Sequence, residues 1–118
     1  MRWFEDEEIW MKTLRIARET YELTGHEVFT RDWRFRDQFR LCALSVMGNI
    51  ADGFDSTRGR EVARLLALAE RSCGDLREHL KTAYAGSFIE LYDFSQLVVR
   101  TNRLGEQLTS LIGTLKRF

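Results

Sequence analysis

The sequence contains no proline in 118 residues, where an average composition would supply about six. That absence argues against a loop-rich secreted scaffold, a proline-rich linker or a polyproline recognition segment. It also permits long uninterrupted helices, because no residue lacks its amide donor or collides with the preceding turn. Cysteine is scarce: two residues are too few for a disulfide framework. Long apolar runs are missing, and none approaches the roughly 18 residues of a membrane span. The acidic start Glu5-Asp6-Glu7-Glu8 is unlike a signal peptide, so a cytoplasmic protein with no membrane partner is expected.

An excess of one charge is missing as well, since eighteen Lys and Arg balance eighteen Asp and Glu. A nucleic-acid binder usually carries a basic surplus. Residues 1–59 hold nine basic and eleven acidic side chains, and residues 60–118 hold nine and seven. So even a split defines no binding face. The cations are nevertheless unusual in kind: fifteen are Arg and three are Lys. Arginine makes planar bidentate contacts to carboxylate or phosphate, which suits ion pairs between helices and between subunits.

Apolar residues make up 44% of the chain, enough for a core, and the length fits a single domain over residues 1–118. Their spacing resolves into four helical segments. The clearest runs through Val62, Leu65/Leu66, Ala69, Cys73, Leu76, Leu80 and Ala83 at steps of three and four, with Gly86 as its stop. Ser87-Phe88-Ile89-Glu90 then reads as a capping box opening the last helix. That helix carries Leu97, Thr101, Leu104, Leu108, Leu111 and Leu115, with Lys116 and Arg117 placed to favour the dipole. The first helix, about Phe4 to Thr24 and closed by Gly25, has two stripes: Ile9/Thr13/Ile16/Thr20/Leu23 and Trp10/Leu14/Ala17/Tyr21. So wide a face packs on more than one neighbour. The second starts near Thr30–Trp33, uses Phe35, Phe39, Cys42, Val46 and Ile50 with Leu41 and Leu44 on a flank, and ends at Gly53. Ser56 or Thr57 is the expected next N-cap. Four long helices on short loops predict an all-α fold, an antiparallel up-down-up-down four-helix bundle.

Chemistry is poorly represented. The only histidines are His26 and His79, and Cys42 and Cys73 fall on apolar seams, where a thiol is a small inert hydrophobe. No zinc-type Cys or His spacing occurs. A di-iron bundle needs Glu-x-x-His pairs, whereas Glu22/His26 and Asp75/His79 are spaced i, i+4 and read as surface contacts. No phosphate-binding glycine loop appears. The expectation is a protein without enzymatic activity, metal or cofactor.

The least ordinary stretch is Asp37-Gln38-Phe39-Arg40-Leu41-Cys42-Ala43-Leu44-Ser45-Val46-Met47-Gly48-Asn49-Ile50-Ala51-Asp52-Gly53-Phe54. Ala43, Ser45, Gly48 and Ala51 would let another backbone approach closely, and Asn49 would satisfy backbone groups at the helix end. Asp37-Gln38, then Ala43-Leu44-Ser45-Val46-x-x-Asn49-Ile50-Ala51-Asp52-Gly53-Phe54, resembles the signature of a bacterial four-helix-bundle family. This family comprises the S23-like proteins encoded by intervening sequences in 23S ribosomal RNA genes, and the accessory variability proteins of diversity-generating retroelements. Phe4-Glu5-x-x-x-Ile9-Trp10 is similar to its opening helix. Arg60-Glu61 with Arg64-Leu65-Leu66-x-Leu68-Ala69-x-x-Ser72-Cys73-x-x-Leu76 is similar to its third. Met47 stands where the family often has proline, Asp52 where it often has glutamate, and Gly48 where serine or alanine is common.

The resemblance implies a ring-like homopentamer. Retroelement members form a basic barrel that binds nucleic acid and a reverse transcriptase, and by that analogy the resemblance implies RNA and that enzyme as partners. On that reading Arg34, Arg36, Arg40, Arg58, Arg60 and Arg64 are the candidate nucleic-acid contacts, gathered by the ring and acting by avidity. The alternative is a structural, protein-interaction module in which those arginines pair with Asp32, Asp37, Asp52, Asp55 and Glu61. Self-association is expected on either reading, because Trp3, Trp10 and Trp33 near helix starts add aromatic surface of the kind enriched in interface cores.

Overall fold

The computed structural model describes residues 4–116, with side chains from Asp6. Trp3 and Arg117 lie outside the described residues, as do the side chains of Phe4 and Glu5. Four α-helices follow one another: α1 (Phe4–Thr24), α2 (Trp33–Asp55), α3 (Gly59–Ala85) and α4 (Leu91–Leu115). A 3-10 turn, Glu27–Arg31, precedes α2.

Pairs of touching residues show how the helices run. Arg40 of α2 meets Thr24 near the end of α1, whereas Ala51 and Phe54 share a groove with Trp10 near its start. Between α2 and α3, Cys42 meets His79, Ser45 meets Ser72, and Gly53 meets Leu66. Glu70 and Arg77 of α3 meet Thr109 and Gly105 of α4. Lys12 and Glu19 of α1 meet Gln107 and Arg100 of α4. In every pair one number rises as the other falls, so each helix is antiparallel to its neighbours and α4 closes back on α1. The bundle is up-down-up-down.

The seams of α3 and α4 form the core. Leu66, Ala69, Cys73, Leu76, Leu80, Leu97, Leu104 and Leu108 are sealed from solvent, and Ile9, Ile16, Phe39, Val46 and Ile50 complete it from α1 and α2. Threonines are tolerated within the α1 stripe because each hydroxyl donates back one turn. Thr13 reaches the carbonyl of Ile9 at 2.8 Å and Thr20 that of Ile16 at 2.9 Å. The second α1 stripe grades outward, from buried Ala17 to exposed Tyr21.

Thr101 on the α4 seam differs, since its buried hydroxyl has no partner. A desolvated hydroxyl without a hydrogen bond is destabilising. Thr101→Val keeps the shape and should raise the unfolding free energy by about 1 kcal/mol, measured by urea denaturation. A loss of stability would show that the hydroxyl is bonded after all.

The helix ends differ from sequence expectation at three points. No capping box opens α4: its N-cap is Glu90, without a side-chain bond, and Ser87 instead ends α3. Ser87 holds φ 64°, and two backbone bonds, Phe88 N to Ala83 O at 2.8 Å and Ser87 N to Tyr84 O at 3.1 Å, close the α3 terminus. This is the Schellman pattern, with serine in the left-handed position usually given to glycine. Gly86 is close-packed, since a Cβ there would lie 3.1 Å from the Phe88 ring, which would have to give way. Second, α2 runs two residues past Gly53, and its N-cap is Asp32, whose carboxylate accepts from the amide of Phe35. Third, the N-cap of α3 is Arg58 and not Ser56 or Thr57, although the Ser56 hydroxyl accepts from the Arg58 amide at 3.4 Å. Lys116 caps the C-terminus of α4. Among the described residues no helix is long and apolar enough to cross a membrane.

Candidate interaction surface on the second helix

Helix α2 presents two unlike faces. Phe39, Ala43, Val46, Ile50, Gly53 and Phe54 point into the bundle. On the opposite side Leu41 and Leu44 are 64% and 44% exposed. Gly48, one turn on, opens to empty space. A helix that serves only a monomer normally turns polar residues outward. Here aliphatic and small side chains follow one another at helical spacing on the solvent side.

The motif residues divide between the two faces. Ser45 faces α3, where its hydroxyl shares a 2.8 Å hydrogen bond with that of Ser72. The Asn49 amide donates to the Ser45 hydroxyl at 3.5 Å. It does not reach backbone at the helix end, so the expected capping role of Asn49 is replaced by a side-chain chain linking α2 to α3. Gly53 is the point of close approach, since a Cβ there would sit 3.1 Å from Leu66 Cδ2. The small residues do not act as one surface. Ala43 and Ser45 face the bundle, Gly48 faces solvent, and Ala51 is half-buried in the groove with α1. Asp37, Gln38 and Asp52 are exposed.

The six candidate arginines fall into two groups at opposite ends. Arg34, Arg36 and Arg40 sit at the start of α2. Arg58, Arg60 and Arg64 surround the start of α3, about 35 Å away at 1.5 Å per helical residue. Two members of the first group are engaged. Arg36 lies over the Trp33 ring at 4.1 Å and pairs with Asp37 at 2.8 Å. Arg40 covers Tyr21 at 4.7 Å and donates to the Thr24 hydroxyl at 2.7 Å. Arg34 is exposed. In the second group Arg64 bonds Glu61 through Nε at 3.1 Å. That bond, with the charges of Arg64 and Arg58, holds the Glu61 carboxyl below its ordinary range. Arg60 and Arg64 join Lys116 around an open cleft of about 650 Å³. Of the five acids named as partners, Asp37 and Glu61 pair with candidate arginines, each within its own helix.

The cysteines part company. Cys73 is sealed in the core, and burial pushes its thiol up to about 12. Cys42, expected to be buried likewise, is half-buried with Sγ 3.5 Å from His79 Nδ1. The pair is not an activated nucleophile. His79 Nδ1 lies 2.9 Å from the Asp75 carbonyl, an acceptor only, so this nitrogen carries the hydrogen and cannot take the thiol proton. Burial, then the Asp75 charge, pushes the Cys42 thiol up, away from thiolate. His79 reaches the backbone of Asp75 and not its carboxylate, and its ring stacks on Phe35 at 5.8 Å. His26 is the exposed residue preceding the 3-10 turn. Among the described residues no three His, Cys, Asp or Glu side chains are grouped to hold a metal.

Reading the sequence alone missed one buried acid. Asp6, in the acidic first turn of α1, is 5% exposed, and among the described residues neither carboxylate oxygen has a hydrogen-bond partner. Four consecutive acids give no signal of which one the tertiary structure covers.

No curated protein matches the sequence. A solved structure of a protein of unknown function from the S23 ribosomal protein family of Bacteroides thetaiotaomicron superposes with a TM-score of 0.84. The alignment covers 93% of this chain and 99% of that one at 14% identity, a likeness of fold alone. The family profile named 23S rRNA-intervening sequence protein matches residues 5–110. With nine-tenths of its length inside that match, the chain belongs to the 23S rRNA-intervening sequence protein family.

Proposed function

We propose that the protein works by association and not by catalysis, as a self-assembling helical module whose contact face is the outer side of α2. The observation that carries this reading is the run Leu41, Leu44 and Gly48, apolar or open, on a helix whose other face is already committed to the core. Burying such a stripe on a second copy removes apolar surface from water. Gly48, without a Cβ on that face, allows close helix approach. A homopentamer is the assembly that the family resemblance supports. Light scattering at micromolar concentration should then give about 70 kDa, five times 13.9 kDa. Leu41→Glu with Leu44→Glu should return the mass to 13.9 kDa. A monomeric wild-type protein would overturn the reading.

The cleft formed by Arg60, Arg64 and Lys116 favours a second reading, that the assembly also binds RNA, in keeping with the family's name. Repeated round a ring, a modest basic cluster gains by avidity. Binding should weaken steeply with salt, and Arg58→Ala with Arg60→Ala should flatten that slope. Absence of binding at low ionic strength would exclude it.

A further inference from the structure

Asp6 poses a specific physical problem. A carboxylate taken out of water needs hydrogen-bond donors or a cation, and a buried one lacking both is strongly disfavoured. Among the described residues no group supplies either: both oxygens are buried and unbonded there. Yet the side chain is not enclosed in the core. It lines a groove of about 430 Å³ between the start of α1 and the end of α2. Trp10, Phe54 and Ala51 make the apolar wall of this groove, and Glu7 adds a second acid.

That combination selects a class of ligand. The acids favour a cation, and the aromatic wall favours one with flat, weakly hydrated faces. A metal is a poor fit, since among the described residues no acids are grouped closely enough to coordinate one. A guanidinium meets both demands, because its edge donates in pairs to a carboxylate while its face lies on aromatic rings. The groove also adjoins the proposed contact face, for Ala51 lies one turn beyond Gly48 on α2. A second copy seated on Leu41 and Leu44 would therefore be in reach, and this chain carries fifteen arginines against three lysines.

We infer that Asp6 is the base of a socket that receives an arginine side chain from a second copy of the protein. The inference rests on the self-association reading, and its test separates the two. Ethylguanidinium chloride is titrated into the full-length Leu41→Glu/Leu44→Glu protein, with sodium chloride at equal ionic strength as control. The Trp10 indole resonance should shift saturably in the millimolar range, and Asp6→Asn on the same background should weaken that response at least tenfold. On the wild-type background Asp6→Asn should raise the concentration of half-dissociation at least tenfold without lowering the thermal midpoint of the separated subunit. An indole shift that does not saturate, or that survives Asp6→Asn, overturns the socket. Asp6→Asn assembling as wild type, while Leu41→Glu/Leu44→Glu dissociates, overturns the socket and leaves the α2 interface standing. A wild-type protein that is monomeric by light scattering overturns both.

Discussion

Replacing Phe39 with alanine should lower the unfolding free energy by about 3–5 kcal/mol, the cost of emptying a fully buried aromatic site. Phe39 has no solvent exposure. Its ring lies 6.1 Å from Phe29, 5.9 Å from Phe35 and 6.1 Å from His79, centroid to centroid. These rings join the 3-10 turn, α2 and α3 at one end of the bundle, so removing the central one leaves a cavity that three elements must relax around. The neighbouring residue supplies the control: Gln38 is exposed, and Gln38→Ala should stay within about 0.5 kcal/mol of the parent. Both are to be read by urea denaturation on the Leu41→Glu/Leu44→Glu background, so that assembly does not contribute to apparent stability. A Phe39→Ala loss below 1 kcal/mol would mean that α2 is rotated from the orientation described.

Phe39 was legible in the sequence because helical periodicity reports one thing well, which side of a helix faces its own core. The seams of α3 and α4 follow from the same signal. Periodicity is weaker on what else a helix faces. Leu41 and Leu44 register only as a flank, although they lie opposite the core, because their spacing does not say whether solvent or a partner meets that side. Local chemistry misled at Ser87. Ser-Phe-Ile-Glu has the composition of an N-terminal box, but the preceding helix uses Ser87 in the left-handed position to end itself. Two terminators compete for one segment there, and the sequence does not rank them. Asp6 fails for a different reason: an acidic first turn satisfies the helix dipole whichever acid is buried, and burial is decided by where α2 ends. The arginines show the same limit on a larger scale. Adjacency in sequence kept Arg58, Arg60 and Arg64 together, and the helix expected from Thr30–Trp33 to Gly53 already separated them from Arg34, Arg36 and Arg40. What the sequence did not reveal is that Arg36 and Arg40 are engaged by Trp33, Asp37, Tyr21 and Thr24.

Glycine gives the sharpest contrast within one helix. Gly48 and Gly53 are both interior to α2, neither has positive φ, and by helix propensity alone replacing either should help. Their surroundings are opposite. A Cβ at Gly48 meets nothing, whereas at Gly53 it would meet Leu66 Cδ2 at 3.1 Å and Leu65 Cβ at 3.5 Å. Gly48→Ala on the dissociated background should therefore gain about 0.5–1 kcal/mol. Gly53→Val should lose about 2–3 kcal/mol, towards the upper end of overpacking costs, because its two γ-methyls must enter space filled by Leu66, itself fully buried. The cause can be separated from a backbone effect by a double-mutant cycle. If Leu66 is the obstacle, Leu66→Ala makes room for the valine. The double variant should then be more stable than the sum of the single losses predicts, by at least 1 kcal/mol. Strict additivity would place the conflict in the α2 backbone itself. The sign of that coupling states what Gly53 is for: it sets how closely α2 crosses α3, and so where the outer face of α2 stands.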